Sequence, residues 1–523
     1  MEDYIVGIDF GASSVKAVGD KGERLLEITL NAGTEKELLN VICYHPSNKS
    51  GEIQKIVGKK AALCEVTEPY NVVSWIKRKL LLPNWSKKIP ALGRDVSACE
   101  AATDIFAQVK RRICERMDLP QEIKAVLTVP VNFSALQRRQ LKNIAKDSGI
   151  AVEQIITEPF AALFSLNDIT QPRSDLVFVF DFGASTLDMS IIKIDSAEKF
   201  VVKELAAAGI NLGGVDIDTA IIEKIIKPKY KDELDKFLAT LDNDPNTAQQ
   251  KFTAELMRCA RAVKEEMFGG EDDEVEESIG TIEVTITLDE ILQVFEGERY
   301  RERIIDTLDE LFDDLLDGED GFTKEDITLI LPFGGTSHIR YFMELLADYF
   351  DGKFDAENFS FDDDTNLRNG LTNRYMAVAA GAVTYKKIRD GGTQSDIEDV
   401  IPFRIGVEQR GKFVSCIGKN MPRTFKGRRP LNVNDIAAAN WQLKIYQSFN
   451  ANSTRIDDDG SNGVAFIGAA QLDRELYDHK QSILLEMSTL SSELLKLNFY
   501  QLQFIDGEHE RMLVEEKTFS IGG

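Results

Sequence analysis

Histidine is scarce in this chain of 523 residues: there are four, far apart, at His45, His338, His479 and His509. Nothing in that spacing suggests a histidine-based metal centre. Cysteine is scarce too. Cys43, Cys64, Cys99, Cys114, Cys259 and Cys416 are scattered and form no CxxC pair. They read as mostly buried thiols in a reducing compartment rather than as a disulfide framework or a zinc site. No apolar run is long enough to cross a bilayer, since charge breaks each one. The opening Met1-Glu2-Asp3-Tyr4 carries acids where a secretion signal needs a basic stretch. A cytoplasmic protein with no membrane partner is expected. Positive charge is in deficit, with 62 Lys and Arg against 87 Asp and Glu, a formal net charge of -25. That field repels phosphodiester backbones. No basic cluster exceeds Lys77, Arg78 and Lys79, or Lys426, Arg428 and Arg429, so nucleic acid is not an expected partner.

What is present is ordinary for a soluble globular protein, 43% apolar and 28% charged residues. The length is too great for one core and suits two to four domains. The chain opens on an apolar strand, Tyr4-Ile5-Val6-Gly7-Ile8-Asp9, that ends at a carboxylate. A turn of small side chains follows at 11–14, then a second strand over 15–18. The pattern returns further on. An apolar strand at 175–180 runs into Asp181-Phe182-Gly183-Ala184-Ser185-Thr186, and residues 187–194 form the next strand. This internal echo predicts a duplicated α/β core whose two loops face each other across a cleft. Around it the periodicity predicts helices over 101–118, 137–148, 213–226, 252–267 and 299–316, and strands over 124–129, 281–288 and 327–331. Residues 376–385 make a small-residue helix able to pack tightly. The glycine- and acid-rich stretch 269–280 reads as a solvated surface loop.

Phosphate oxygens need donors, and glycine-rich turns offer bare backbone N–H groups. Gly11 and Gly183 are the first candidates, with Gly334 and Gly335 in a third loop. Asp9 and Asp181, each at a strand end, suit a hydrated magnesium ion, which takes oxygen ligands and keeps several waters. Either aspartate alone would read as a turn-capping carboxylate. Their ordered repetition is what points to a nucleotide site.

The resemblance to a known family sharpens this. Ile8-Asp9-Phe10-Gly11-Ala12-Ser13 resembles the first phosphate loop of the heat-shock-seventy (DnaK-like) chaperones, and residues 180–188 resemble the second. Thr128-Val129-Pro130-Val131-Asn132-Phe133, Ile156-Thr157-Glu158-Pro159-Phe160-Ala161-Ala162, Gly213-Gly214-Val215-Asp216-Ile217-Asp218 and Phe333-Gly334-Gly335-Thr336-Ser337 are similar to four further signatures. The chain is identified as a divergent, lidless member of that family, within the actin-like ATPase superfamily. The resemblance implies an α/β fold: a two-lobed actin-like ATPase domain of duplicated ribonuclease H-like halves over 1–388, a linker over 389–399, and a smaller β-sandwich-like domain over 400–523. It implies ATP and Mg2+ as cofactors, with Asp9 and Asp181 on the metal side. Lys77 stands at the family's catalytic lysine, where an ammonium near the γ-phosphate stabilises charge developing in transfer. Glu158 would hold the magnesium water shell or the nucleophile, Asp181 would polarise water, and Asp9 completes the catalytic set. Gly11, Ala12, Ser13, Gly183, Ala184, Ser185, Thr186, Gly213, Gly214, Gly334, Gly335 and Ser337 match nucleotide-binding positions, and Lys264 matches one that contacts the adenosine. There are departures. Ala12 replaces a threonine, Ala184 a glycine, Arg261 a glutamate, Phe268 a serine and His338 an arginine, and Tyr375 falls near an aspartate. These imply slower hydrolysis, not its loss.

Beyond 400 the resemblance continues through 399–408, Lys419-Asn420-Met421-Pro422, 442–447 and 464–468, and then fades. Residues 472–523 are too few for the rest of the sheet plus a helical lid. The linker stretch Asp396-Ile397-Glu398-Asp399 offers one apolar side chain where the family has several, and Glu398 resists burial. Peptide binding is therefore expected to be fast-exchanging and loosely coupled to ATP. The expected partners are a peptide or client protein, a J-domain co-chaperone and a nucleotide-exchange factor. The expected function is a slowly ATP-hydrolysing chaperone in the stress response. Competing readings are a pseudo-chaperone or scaffold dedicated to one partner, a small-molecule kinase on the same fold, and a polymer-forming cell-shape protein.

Overall fold

The structure is a computed structural model. It describes residues 4–520 apart from 23, 32–34, 48–51, 83, 120–121, 167–168, 172, 197–198, 271, 317–320, 355–373, 392–394, 424, 450–452, 457–463, 478–481, 491–493 and 506–507. Part of the expected linker, 392–394, lies outside the described residues.

The strand Ile5–Phe10 is buried along its whole length because helices cover both of its faces. Val6, Ile8 and Phe10 join one apolar cluster with Ile105, Phe106 and Val109 of the helix Ala98–Met117. On the other face Gly7 admits the helix Ala377–Asp390, since a Cβ there would strike the Ala379 carbonyl. The tight packing expected of 376–385 follows from this contact and from Gly381, which fits against the Ala161 carbonyl in the same way.

The first sheet runs Ile150–Thr157, Ile123–Val129, Ile5–Phe10, Ser14–Lys21, Arg24–Glu27, with Leu38–Leu39 also pairing Ser14–Lys21. The second runs Leu329–Phe333, Ser174–Phe182, Leu187–Asp195, Phe200–Ile210, Ser395–Glu398. In each, the strand that ends in the candidate aspartate has a parallel neighbour on one side and an antiparallel hairpin on the other. Asp9 sits opposite Thr128 and Lys16; Asp181 sits opposite Phe333 and Asp188. The fold is α/β with mixed sheets.

Helix ends follow local chemistry. Ser134 and Gln137 form a capping box before Ala135–Asp147, and Gly149 at φ 78 closes that turn. Asp244 caps the long helix Pro245–Gly269, with Pro245 in its first turn. The expected surface loop 269–280 is corrected: Glu274–Ile279 is a strand, paired with Ile282–Thr287. Period two explains it, because Glu274 and Glu276 point outward while Val275 and Ile279 enter the core.

Beyond residue 400 two four-stranded sheets enclose one apolar cluster. The first runs Lys412–Ile417, Arg404–Gln409, Gln442–Ser448, Val464–Gln471. The second runs Lys426–Asn432, Ser482–Thr489, Leu494–Ile505, Glu508–Ser520. Val407, Ile445 and Ile467 meet Leu485, Leu497 and Phe499 between them. Three long strands thus complete the second sheet where the resemblance fades.

Part of the stretch expected to be a linker is ordered. Ser395–Glu398 is a strand, parallel to Phe200–Ile210 at the edge of the second sheet. Ile397 packs against a core cluster there, and Arg423 holds the Asp399 carboxylate with 2.7 Å contacts to both oxygens. Further bonds cross the same seam. The Ala135 N–H donates to Gln447 at 3.0 Å, the Ala207 N–H to Asn420 at 3.1 Å, and Lys419 pairs with Glu310 at 2.6 Å. Backbone pairing and charged neighbours fasten a stretch that carries few apolar side chains. Among the described residues no helix is long and apolar enough to cross a membrane.

Candidate functional site

Both aspartate-bearing strands end at one cavity of about 440 Å³. The turn after Ile5–Phe10 brings Gly11, Ala12 and Ser13 to its wall, and the turn after Ser174–Phe182 brings Gly183, Ala184, Ser185 and Thr186. Gly214, at the head of the helix Gly214–Ile221, lines it as well, as do Gly334 and Gly335 after Leu329–Phe333.

These turns are locked to their surroundings. The Asn40 amide donates to the Gly11 carbonyl at 2.8 Å, Thr336 Oγ1 donates to the Gly183 carbonyl at 2.8 Å, and the Val215 N–H donates to the Ala184 carbonyl at 2.9 Å. Gly334 adopts φ 84, a left-handed conformation that glycine takes without strain. A Cβ there would strike the Phe182 carbonyl and come within 2.7 Å of Asp181 Oδ1. Gly213 and Ser337 do not reach the wall: Gly213 backs the Ala184–Ser185 peptide, and the fully buried Ser337 hydroxyl donates to the Phe333 carbonyl.

At the floor, buried charges converge. Lys77 Nζ lies 2.5 Å from Glu158 Oε1, both nearly inaccessible to solvent, and Lys16 Nζ lies 3.5 Å from Asp9 Oδ2. Burial alone would lower both lysines, but Glu158 and Asp9 outweigh it for Lys77, and Asp9, Glu37 and Asp181 for Lys16, so both ammonium groups are held charged. Burial pushes the Glu158 carboxyl up, with Lys77 pulling against it. Asp181 is pushed up to about 7 by burial, then by Asp188 and Asp9. Asp188 is pushed up to about 6 by burial; its Oδ1 accepts from the Val131 N–H at 2.7 Å.

Four carboxylates, Asp9, Glu158, Asp181 and Asp188, therefore surround two ammonium groups. With Glu37 beside Lys16 as well, the carboxylates outnumber the ammonium groups, and these all-oxygen donors fit a hard divalent cation such as magnesium.

Higher in the cavity, Trp75 holds a left-handed backbone at φ 54 and stacks its ring on the Arg261 guanidinium at 4.7 Å. That contact joins a residue beside Lys77 to the helix Pro245–Gly269. Lys264 on that helix pairs with Asp218 at 2.6 Å and donates to the Gly214 carbonyl at 2.9 Å. Phe268 stacks on Phe295, and His338 stacks on Tyr375 with Nε2 2.7 Å from the phenol oxygen. The Lys77-Arg78-Lys79 triplet is no solvated patch: Arg78 pairs with Asp216 at 2.8 Å, and Lys79 binds the Ser74 carbonyl.

Sequence reasoning missed Lys16, Glu37 and Asp218, all of which line the cavity, and Asp188, which lies across the hairpin from Asp181. Hairpin register offered a signal for two of them, since Lys16 and Asp188 lie directly across from Asp9 and Asp181.

A cleft walled by glycine turns from two mixed sheets, with carboxylates and lysines at its floor, is consistent with the actin-like ATPase superfamily. Within it, the family model described as Hsp70 protein matches residues 5–449. The chain belongs to the Hsp70 family.

Proposed function

We propose that the protein is an ATP-binding, slowly ATP-hydrolysing molecular chaperone that binds peptide or a client protein. The observation that carries the reading is the convergence of Asp9, Lys77, Glu158 and Asp181 beneath three glycine turns in one cavity, in a chain of the Hsp70 family. In this reading residues 1–388 form a two-lobed, duplicated nucleotide-binding unit. Residues 400–523 form a β-sandwich that takes the client, and 389–399 join the two with 395–398 docked as a strand.

Asp9 and Asp181 would hold Mg2+ through its waters, and that ion would neutralise phosphate charge when bound. The turns at 11–13, 183–186 and 334–335 would place backbone N–H groups on the phosphates, while the N–H groups of Gly213 and Gly214 are held by Asp216 and the Gly183 carbonyl. Lys77, fixed by Glu158, would steady charge at the transferring phosphoryl group, and Asp181 would accept hydrogen bonds from the attacking water. Lys264 and the Trp75–Arg261 pair face the part of the cavity left for the nucleoside, and Ser337 supports the third turn from behind. The reading carries with it a J-domain co-chaperone, a nucleotide-exchange factor, a cytoplasmic location and a part in the stress response. Those four rest on the family resemblance alone.

The test is calorimetric titration of the full chain with Mg·ATP and Mg·ADP, followed by a peptide array probed in each state. Binding of both nucleotides with a peptide signal that changes between them supports the reading. Nucleotide binding with one captured protein and no peptide signal supports the dedicated-partner alternative. No nucleotide binding removes both.

A further inference from the structure

Cys43 and His45 stand two residues apart on the strand Val41–Pro46, so their side chains leave the same face. Cys64 lies on the helix Lys59–Thr67 and Glu68 caps its C-terminus, four residues on, so these two also share a face. The helix packs on the strand and the two faces meet. Cys43 Sγ, Cys64 Sγ and a Glu68 carboxylate oxygen all lie within 4.8 Å of one another. Cys43 is fully buried, while Cys64 and Glu68 keep some exposure, which leaves a route in from solvent. The Glu68 carboxylate is gripped on both oxygens: His45 Nδ1 lies 2.7 Å from Oε1, and the Asn71 amide donates to Oε2 at 3.1 Å.

We propose that Cys43, Cys64 and Glu68 form a binding site for a thiophilic divalent cation of the zinc type, with His45 and Asn71 orienting the carboxylate. Two thiolates and one carboxylate are a soft-to-borderline set that zinc accepts in tetrahedral geometry, with water at the fourth position. Carboxylate ligands are commonly held by outer hydrogen bonds, and His45 and Asn71 supply them. The charged ligand candidates at the floor of the phosphate cleft are carboxylates, so the two sites sort cations by hardness: magnesium to the cleft, zinc to the thiols. The position bears on the cleft. Cys43 pairs in register with Val72 of the strand Val72–Ser74, which leads directly into Trp75 and Lys77. The helix Lys59–Thr67 and the turn Pro69–Asn71 touch the helix Pro245–Gly269 across the cleft. An ion at this site ties the helix Lys59–Thr67 to the strand Val41–Pro46 at the base of the wall carrying Trp75. The scattered cysteine positions hid the pair, because its spacing follows no short motif; strand and helix periodicity bring it together.

The experiment uses the full chain, reduced with a phosphine, stripped of metal by a chelator that is then removed, and titrated with zinc chloride. A chromophoric zinc indicator competes, and excess magnesium chloride occupies all-oxygen sites. Cobalt chloride is titrated in parallel for its thiolate charge-transfer absorption. The proposal expects one zinc per chain that magnesium does not displace, and a cobalt–thiolate band. Cys64→Ser should weaken zinc at least about a hundredfold and remove most of the band. His45→Ala, which keeps all three ligands, should weaken it by about tenfold or more. Cys114→Ser should change nothing. Circular dichroism checks that each variant folds, and Glu68→Gln gives a second, conservative test at a partly exposed position. Zinc binding that survives both Cys64→Ser and Glu68→Gln would overturn the proposal. So would no magnesium-resistant binding, or a chain that forms a Cys43–Cys64 disulfide on mild oxidation and has no zinc affinity.

Discussion

Replacing Glu204 by Gln should tighten the seam between the second sheet and the C-terminal strands, and more so in alkali than in acid. Glu204 is 4% exposed. Its Oε1 accepts from Ser190 Oγ at 2.8 Å and its Oε2 from the Val400 N–H at 3.1 Å. Burial, and then the Asp399 carboxylate, push its carboxyl from 4.5 up to about 7, against the pull of those two hydrogen bonds and of Arg423. An acid raised in this way keeps a proton in the docked state that the opened state releases. Its stabilising effect is complete below 4.5 and is lost as pH climbs through about 7. Between about pH 5 and about pH 8 the loss integrates to about 2.5 kcal/mol, roughly seventyfold in the opening equilibrium. Opening that leaves Glu204 partly covered makes this an upper bound. Gln has the shape of the neutral acid and no proton to lose. Hydrogen-exchange protection of the amides at 395–401, corrected for intrinsic exchange, reads the opening directly. In the wild type it should fall steeply across that range, whereas in Glu204→Gln it should stay level and exceed the wild type at the alkaline end. Equal slopes in the two proteins would refute the reasoning.

Three further outcomes follow from the geometry. Gly334→Ala forces a left-handed residue against the Phe182 carbonyl; it should cost about 1–3 kcal/mol of local stability and weaken ATP binding in calorimetry. Asn420→Ala removes the acceptor for the Ala207 N–H and the donor to Asp314. It should raise the opening equilibrium of 395–401 read by hydrogen exchange by roughly thirtyfold, each lost bond contributing about 1 kcal/mol. Arg261→Ala removes the guanidinium on Trp75, a contact estimated at about 0.5–2 kcal/mol. It should shift small-angle scattering of the nucleotide-free protein toward an opened form, and an unchanged profile would count against that contact holding the cleft.

Much of the α/β part could be read in advance because local chemistry and tertiary context agree there. Ile5–Phe10 and Ser174–Phe182 are apolar strands that each end at an aspartate and a glycine turn, and the pattern repeats at both places. The cavity brings together Asp9, Lys77, Glu158 and Asp181, which lie up to 172 residues apart in the chain. What could not be read depends on long-range pairing. Ser395–Glu398 looks like a linker because its hydrogen bonds go to Phe200–Ile210, almost two hundred residues earlier. Lys16, within the strand expected over 15–18, shows no partner until register sets it across from Asp9. The strands from Ser482 onward lack family landmarks, yet their alternation closes the second four-stranded sheet. Glu274–Ile279 was hidden by its acids, which mask an ordinary two-residue period.

The most direct test of the central claim is single-turnover hydrolysis of radiolabelled ATP by the full chain and by Lys77→Ala, in saturating Mg2+, with nucleotide affinity measured alongside. In the proposed mechanism the buried ammonium, fixed 2.5 Å from Glu158, would act in the transition state, so its loss should remove most turnover while leaving ATP binding largely in place. The wild type should hydrolyse slowly but well above the uncatalysed rate, and the variant should not. Equal turnover in the two proteins, or no ATP binding by either, would contradict the account.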